Sequence, residues 1–530
     1  MKSVMSHNFA GAPQAKHSRS TFDRSHGYKS TFDAGDLIPF YFDEALPGDT
    51  ISLKVSAFAR LATMIYAPMD NMVMDVHFFA CPNRLLQTNW VKLQGERDDP
   101  SDSIDFTVAQ QTPPTAGYAE LSLADYFGIP TKIGSGNTPT PNALHFRMYN
   151  KTWNQWYRDE NLQDSVVVDV DDGPDTDTDY VLLKRGKRHD YFTSCLPWAQ
   201  KGTAINLPLG EKAWVKGIAS EGQGFSNYVS TVYEAGETSS SNWTGDELKL
   251  NNSGSNEWFV QEDPDNAGYP NIYADLSGAT GATINQWREA LQQQACLEID
   301  ARGGTRYPEA IQAHFGVTNP DSRMQYVEYL GGGSSDVNIH PVAQTGESGT
   351  TDQGNISAYG TISMNGVGFT KSFTEHCCLL GLVSVRADLT YQQGLDRMWS
   401  RQTRYDYYMP VFAKLGEQAV LNKEIYCDGT TSEDDLVFGY QEAWAEYRFK
   451  KSLITGQLRS NAATPLDAWH LSQEFADLPV LGDSFIQESP PVSRIVADAT
   501  DPEFIFDSFI SLKHTRVMPV FSVPFSMARF

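Results

Sequence analysis

Apolar and polar residues alternate in segment after segment of this chain, and that two-residue period constrains the fold more than any other feature. Ile51-Ser-Leu-Lys-Val-Ser-Ala57 keeps it for seven residues, just after the turn residues Pro47-Gly-Asp49. This is the pattern of a strand with one buried face. The alternation returns at Ile104–Val108, Leu144–Met148 and Val383–Leu389, and further extended segments are predicted at Met72–Phe79, Val166–Val170, Asn355–Ser363 and Glu503–Leu512. Strands therefore run from one end of the 530 residues to the other. No βαβα alternation intervenes, which counts against Rossmann and TIM-barrel folds. Helices are predicted only at Thr283–Asp300, with Thr283 and Gln286 in a capping-box pattern, and at Leu121–Phe127, stopped by Gly128. The reading is an all-β chain with few helices, one antiparallel sandwich carrying long insertions.

Charge is distributed unevenly along that frame. The formal net charge of −25 argues against a protein that coats duplex DNA over its whole surface. Yet residues 1–31 carry five bases and one acid, a local +4. An arm over 1–34 is too polar to fold alone, so a partner, a neighbouring subunit or nucleic acid is expected to order it. Its bases interleave with aromatic rings, the combination that holds single-stranded nucleic acid by phosphate neutralisation and base stacking. Lys16, Arg19, Phe22, Arg24, Tyr28 and Lys29 are the candidates there. A second basic cluster, Lys184, Arg185, Lys187 and Arg188, either binds phosphate or neutralises the nine acids between 159 and 180. A third patch holds Lys513 and Arg516 near the chain end. Residues 221–282, rich in Gly, Ser, Asn and Thr with ten acids and only Lys249, read as a surface projection inserted in a core domain spanning 35–530.

Tests for chemistry return little. The acidic run Asp169–Asp179 misses the EF-hand register, with Gly173 where a donor belongs, and reads as a solvated loop. Gly331-Gly-Gly-Ser334 and Gly366-Val-Gly368 lack the residues of a phosphate loop and read as turns. Cys377 beside His376 is an unlikely nucleophile, because neighbours on a strand point to opposite faces. Six scattered cysteines form no disulfide framework and no zinc knot, which suits a reducing cytoplasm. No cofactor, metal, signal peptide or membrane span is expected. Trp153-Asn-Gln-Trp-Tyr157 leaves one rival reading open, a β-sandwich carbohydrate-binding protein or glycoside hydrolase.

Several blocks carry a resemblance: Arg19-Ser-Thr-Phe-Asp-Arg-Ser-His26, Gly35-Asp-Leu-Ile-Pro-Phe40, Leu123-Ala-Asp-Tyr-Phe-Gly-Ile-Pro130, His189-Asp-Tyr-Phe-Thr-Ser-Cys-Leu-Pro-Trp198 and Gly439-Tyr-Gln-Glu-Ala-Trp-Ala-Glu-Tyr-Arg448. Together they resemble the major capsid proteins of the Microviridae, bacteriophages with single-stranded DNA, in the gokushovirus branch. The resemblance implies a structural virion protein and no enzyme. It implies an eight-stranded jelly roll and a closed T=1 icosahedral shell of about 60 copies around a circular single-stranded DNA genome. It also implies scaffolding, DNA pilot and small DNA-binding proteins as partners, assembly in the host cytoplasm, and a projection at the three-fold axes that meets a bacterial surface receptor. The 221–282 segment is the counterpart of that projection.

Overall fold

The computed structural model describes residues 18–134, 137–202, 284–318, 320 and 325–521, with the backbone of four short strands between 214 and 275. Lys16 and most of the 221–282 segment lie outside the described residues. The chain divides into two units, 200–299 and the remainder. In the smaller unit Trp214–Lys216 pairs with Tyr273–Asp275, and Glu262–Asp263 pairs with Asn266–Pro270. A helix starts at Ile284, one residue past the predicted start, and runs to Gly303.

The sandwich of the larger unit is built on ten strands: β1 Ser20–Asp23, β2 His26–Phe32, β3 Ile38–Ala45, β4 Thr50–Met64, β5 Met72–Pro82, β6 Glu328–Asp336, β7 Asn338–Ala343, β8 Ile356–Ser372, β9 Cys377–Ala387 and β10 Phe504–Arg516. They form two antiparallel sheets. One has six strands: β1 and β2 lie along β10, followed by β4, β8 and β7. The other has four strands in the order β6-β5-β9-β3. Every ladder joins strands distant in sequence except the β7–β8 hairpin, so the sandwich closes only through long-range pairing. Ten strand segments stand where eight were expected, because Arg24-Ser25 separates β1 from β2 and Val337 separates β6 from β7.

The alternation read in the sequence decides which side chains enter the sandwich. Leu53, Val55 and Leu61 of β4 and Phe506, Ile510 and Leu512 of β10 point inward and are fully buried. From the other sheet Phe40, Phe78, Val383 and Val385 meet them, with Phe40 packed edge-on against Phe78 and Phe506 at 5.8 Å. A second core lies on the opposite face of the four-stranded sheet, where Phe79, Leu380 and Leu382 pack under the helix Leu144–Thr152.

Four expectations need correction. The described part of the arm is ordered by its own chain, since β1 and β2 pair with β10 from Ser20↔Arg516 to Phe32↔Phe504. The inward ring of Phe32, stacked 5.5 Å from Phe504, supplies the anchor that its polar composition concealed. Leu144–Met148 is helical; the helix is buried almost all round, so no 3.6-residue contrast marks it. Ile104–Val108 and Val166–Val170 form no strand. Both glycine segments lie within strands. In β6 a side chain at Gly333 would collide with Val367, and in β8 a Cβ at Gly368 would overlap the Leu53 carbonyl. Glycine is there because another strand comes close, across the sandwich at Gly333 and within the same sheet at Gly368, not because the chain turns.

Candidate nucleic-acid interface

Most of the basic residues singled out from the sequence are engaged in holding strands. Arg19 donates to the Gly48 carbonyl at 2.6 Å, and Arg24 pairs with Asp43 at 2.8 Å. Arg516 pairs with the buried Asp49 at 2.8 Å and donates to the Glu44 carbonyl. Tyr28 sends its hydroxyl inward to the Tyr126 carbonyl at 3.0 Å, and burial pushes that phenol up to about 12. Phe22 is half-buried. Lys29 reaches solvent and pairs with the less exposed Asp507 at 2.7 Å, while Lys513 stands exposed opposite Asp23.

The cluster at 184–188 is chiefly a clamp on the four-stranded sheet. Arg185 donates to Asp75 at 2.6 Å and to Ser384 at 2.9 Å, and Arg386 reaches the same carboxylate at 2.8 Å. Burial alone would raise Asp75, but hydrogen bonds from Ser334 and Arg386 and the charge of Arg185 hold it below its ordinary value. Lys184 pairs with Asp36 at 3.1 Å. Lys187 is buried against Phe485 and donates to Gln473; burial lowers its ammonium to about 8. Only Arg188 of the four is exposed. The paired acids come from elsewhere in the chain, not from the neighbouring acidic run. That run has its own cation: fully buried Arg147 donates from Nε to Asp175 at 2.7 Å and also contacts Asp171, so the loop is only partly solvated.

The enzymatic readings lose their groups. Cys377 and Cys378 are buried, and desolvation pushes the Cys377 thiol up to about 12, far from a nucleophile's range. Trp153 is in the core with its indole N–H on the Lys184 carbonyl. Trp156 does line an open pocket of about 520 Å³ with Tyr329, Arg306 and Glu309. Its two carboxylates are engaged, Glu309 by Arg306 at 3.1 Å and Glu328 by Lys371.

Sequence reading missed a group of exposed apolar side chains between residues 395 and 458. Trp399, Tyr405, Val411, Leu415, Tyr447 and Phe449 are all more than half exposed there. Short 3₁₀ turns at Arg397–Ser400, Arg404–Asp406 and Pro410–Phe412 carry much of it, so no periodicity announces it. The clue available was composition: aromatic residues crowd a stretch without strand or helix period.

The family profile described as "Capsid protein (F protein)" matches residues 10–526. The chain is 44% identical to "Capsid protein VP1" of Bdellovibrio phage phiMH2K, covering 99% of this chain and 98% of that one. It is 41% identical to "Capsid protein VP1" of Chlamydia phage 1, with 99% and 98% covered. For "Capsid protein VP1" of Spiroplasma virus 4 the identity is 34%, with 96% and 95% covered.

Proposed function

The chain belongs to the F-protein family of phage capsid proteins, in the gokushovirus-type Microviridae, and from that premise we propose that it closes into a T=1 icosahedral shell of about 60 copies around single-stranded DNA. It is a structural virion protein and not an enzyme. The observation that carries the assembly reading is the apolar surface at 395–458. Val411 is 88% and Trp399 70% exposed, which a soluble monomer tolerates poorly and a subunit interface buries. A shell subunit meets several neighbours, so contacts of modest size multiply into a stable particle.

Within this reading residues 1–34 form the basic arm of a jelly-roll domain over 35–530, and 221–282 is the outward projection. The arm and the exposed Lys513 are assigned to the packaged DNA side, whereas Lys184, Arg185 and Lys187, engaged by Asp36, Asp75 and Gln473, are not. Scaffolding, DNA pilot and small DNA-binding proteins join in the host cytoplasm, and the acidic projection meets the host surface receptor. Sedimentation and negative-stain microscopy of the purified chain test the shell. Homogeneous particles are expected from the parent, and folded subunits that fail to assemble from Trp399→Glu/Val411→Glu. A stable parent monomer overturns the proposal. Deleting 221–282 should leave particles that no longer attach to host cells; attachment at the parental level removes the projection's role.

A further inference from the structure

The outward face of the six-stranded sheet is the one broad surface of the sandwich on which no described element packs. On β4 the outward positions are Ser52, Lys54, Ser56, Phe58 and Arg60, and on β10 they are Ile505, Asp507, Phe509, Ser511 and Lys513. Phe58 is 50% and Phe509 55% exposed. Ser56 pairs with Phe509 and Phe58 with Asp507, so the two rings are diagonal neighbours across one ladder, on the order of 7 Å apart at the backbone. Lys54 and Arg60 bracket them along β4, exposed and without an ion pair among the described residues. On the far side the ring of Tyr359 on β8 lies 5.1 Å from that of His340 on β7, the two tilted and again outward.

Charge complementarity selects the occupant. The outward positions of β1, β2, β4 and β10 hold Lys29, Lys54, Arg60 and Lys513 against Asp23 and Asp507, and those of β7 and β8 add no charge beyond a histidine. The face is therefore +2 in a chain of −25. Subunit interfaces are poor in lysine at their centre, yet three of these four bases are lysines. Between the rings and bases stand Ser52, Ser56, Ser511, Thr361 and Ser363, hydroxyls that donate well to phosphate. Flat aromatic faces interleaved with mobile cations form the surface that binds single strands without regard to sequence.

We propose that this sheet face, centred on Phe58 and Phe509 and flanked by Lys54, Arg60 and Lys513, lines the inside of the shell and binds single-stranded nucleic acid by base stacking and phosphate neutralisation. The inference rests on the reading that the shell encloses such a strand, and it moves the main contact from the arm to the sheet. Ultraviolet cross-linking of purified particles, followed by peptide mass mapping, tests it. Nucleotide adducts are expected on the peptides containing Phe58 and Phe509. Titration of the unassembled full chain with a mixed-sequence single-stranded DNA of about 20 nucleotides supplies the second measurement. Phe58→Ser/Phe509→Ser should weaken binding at least about 10-fold. Lys54→Gln/Arg60→Gln should flatten the logarithmic salt dependence by about 1.4, the value for two lost phosphate contacts. DNA-filled particles whose adducts all map elsewhere, with both variants binding as the parent does, overturn the inference and leave the enclosure intact. Particles without DNA overturn the enclosure reading itself. Variants that bind DNA normally but stop at free subunits would make the face a contact between copies of this chain, and the inference would fail.

Discussion

The two sheets of the sandwich use the same backbone geometry and opposite strategies. All eleven residues of β9, in the four-stranded sheet, are buried, because both faces are covered by packed side chains. In β10, flanked on both sides in the six-stranded sheet, burial alternates residue by residue from Phe504 to Lys513. A strand covered on both faces is apolar except where a buried partner awaits: Cys377-Cys-Leu-Leu-Gly-Leu-Val383 is apolar, and Ser384 and Arg386 beyond it meet Arg185 and Asp75. A strand covered on one face leaves every second side chain free for other work. Stability is concentrated in the closed sheet, whereas the open one has side chains to offer a partner.

Asp75 gives the largest expected break of that contrast. It is 4% exposed on β5 in the closed sheet and is shared by Arg185 and Arg386. Asp75→Ala leaves two guanidinium groups against the sheet without their carboxylate, at a cost of about 3–5 kcal/mol. Urea unfolding of the folded chain measures it. A loss under about 1 kcal/mol would mean the cluster at 184–188 is not the clamp described above.

The next effect compares one apolar residue from each sheet. Leu380 is fully buried on the second-core face of β9, while Ile505 is 60% exposed on β10. Leu380→Ala should cost about 2–5 kcal/mol by lost transfer and the cavity left behind. Ile505→Ala should stay within about 0.5 kcal/mol. Equal losses at the two positions would show that the outer face of the six-stranded sheet is covered in the folded subunit.

How much of this was legible in the sequence follows from the same contrast. Alternation at 51–57 identified β4 and alternation from Val383 identified the second half of β9, although all of β9 is buried and its apolar run at 377–383 is the pattern of a strand covered on both faces. The arm escaped because β2 turns Tyr28, Ser30 and Phe32 inward, and one serine among them breaks the apolar alternation. Gly331–Gly333 escaped because close sheet contact and a turn both call for glycine. At the site, local clustering of bases drew attention to 184–188, where the long-range partners Asp36 and Asp75 cannot be seen from the sequence. The outward bases Lys54 and Arg60 are isolated in sequence and adjacent to the rings only after β4 and β10 pair.

The smallest effect sets one carboxyl of the open sheet against Asp75. Glu503 stands immediately before β10 and accepts the Ala34 N–H at 2.8 Å, but among the described residues no cation pairs with it directly. Burial raises its carboxyl to about 7; the charges of Asp33 and Asp36 add to the rise, and the Ala34 N–H and Lys184 oppose it. In the unfolded chain the same group loses its proton near 4.5. Between those values the folded state holds more protons, so this group's contribution to stability is complete below pH 4.5 and is lost as pH rises to about 7. Its slope cannot exceed about 1.4 kcal/mol per pH unit. His514 acts in the opposite sense, since burial lowers it to about 4 and the unfolded state then binds the extra proton. The whole-protein curve sums both, so the difference between parent and Glu503→Gln isolates the carboxyl. Melting temperatures measured from pH 4.5 to pH 8 should diverge as pH rises, with the glutamine variant the more stable at the upper end. Asp75, held below its ordinary value by the Ser334 hydroxyl and two arginines, should add no slope in that window. Parallel curves for the parent and Glu503→Gln would place the Glu503 carboxyl in water, and the seam where β10 enters the open sheet would then be looser than its hydrogen bonds to Ala34 and Asp33 imply.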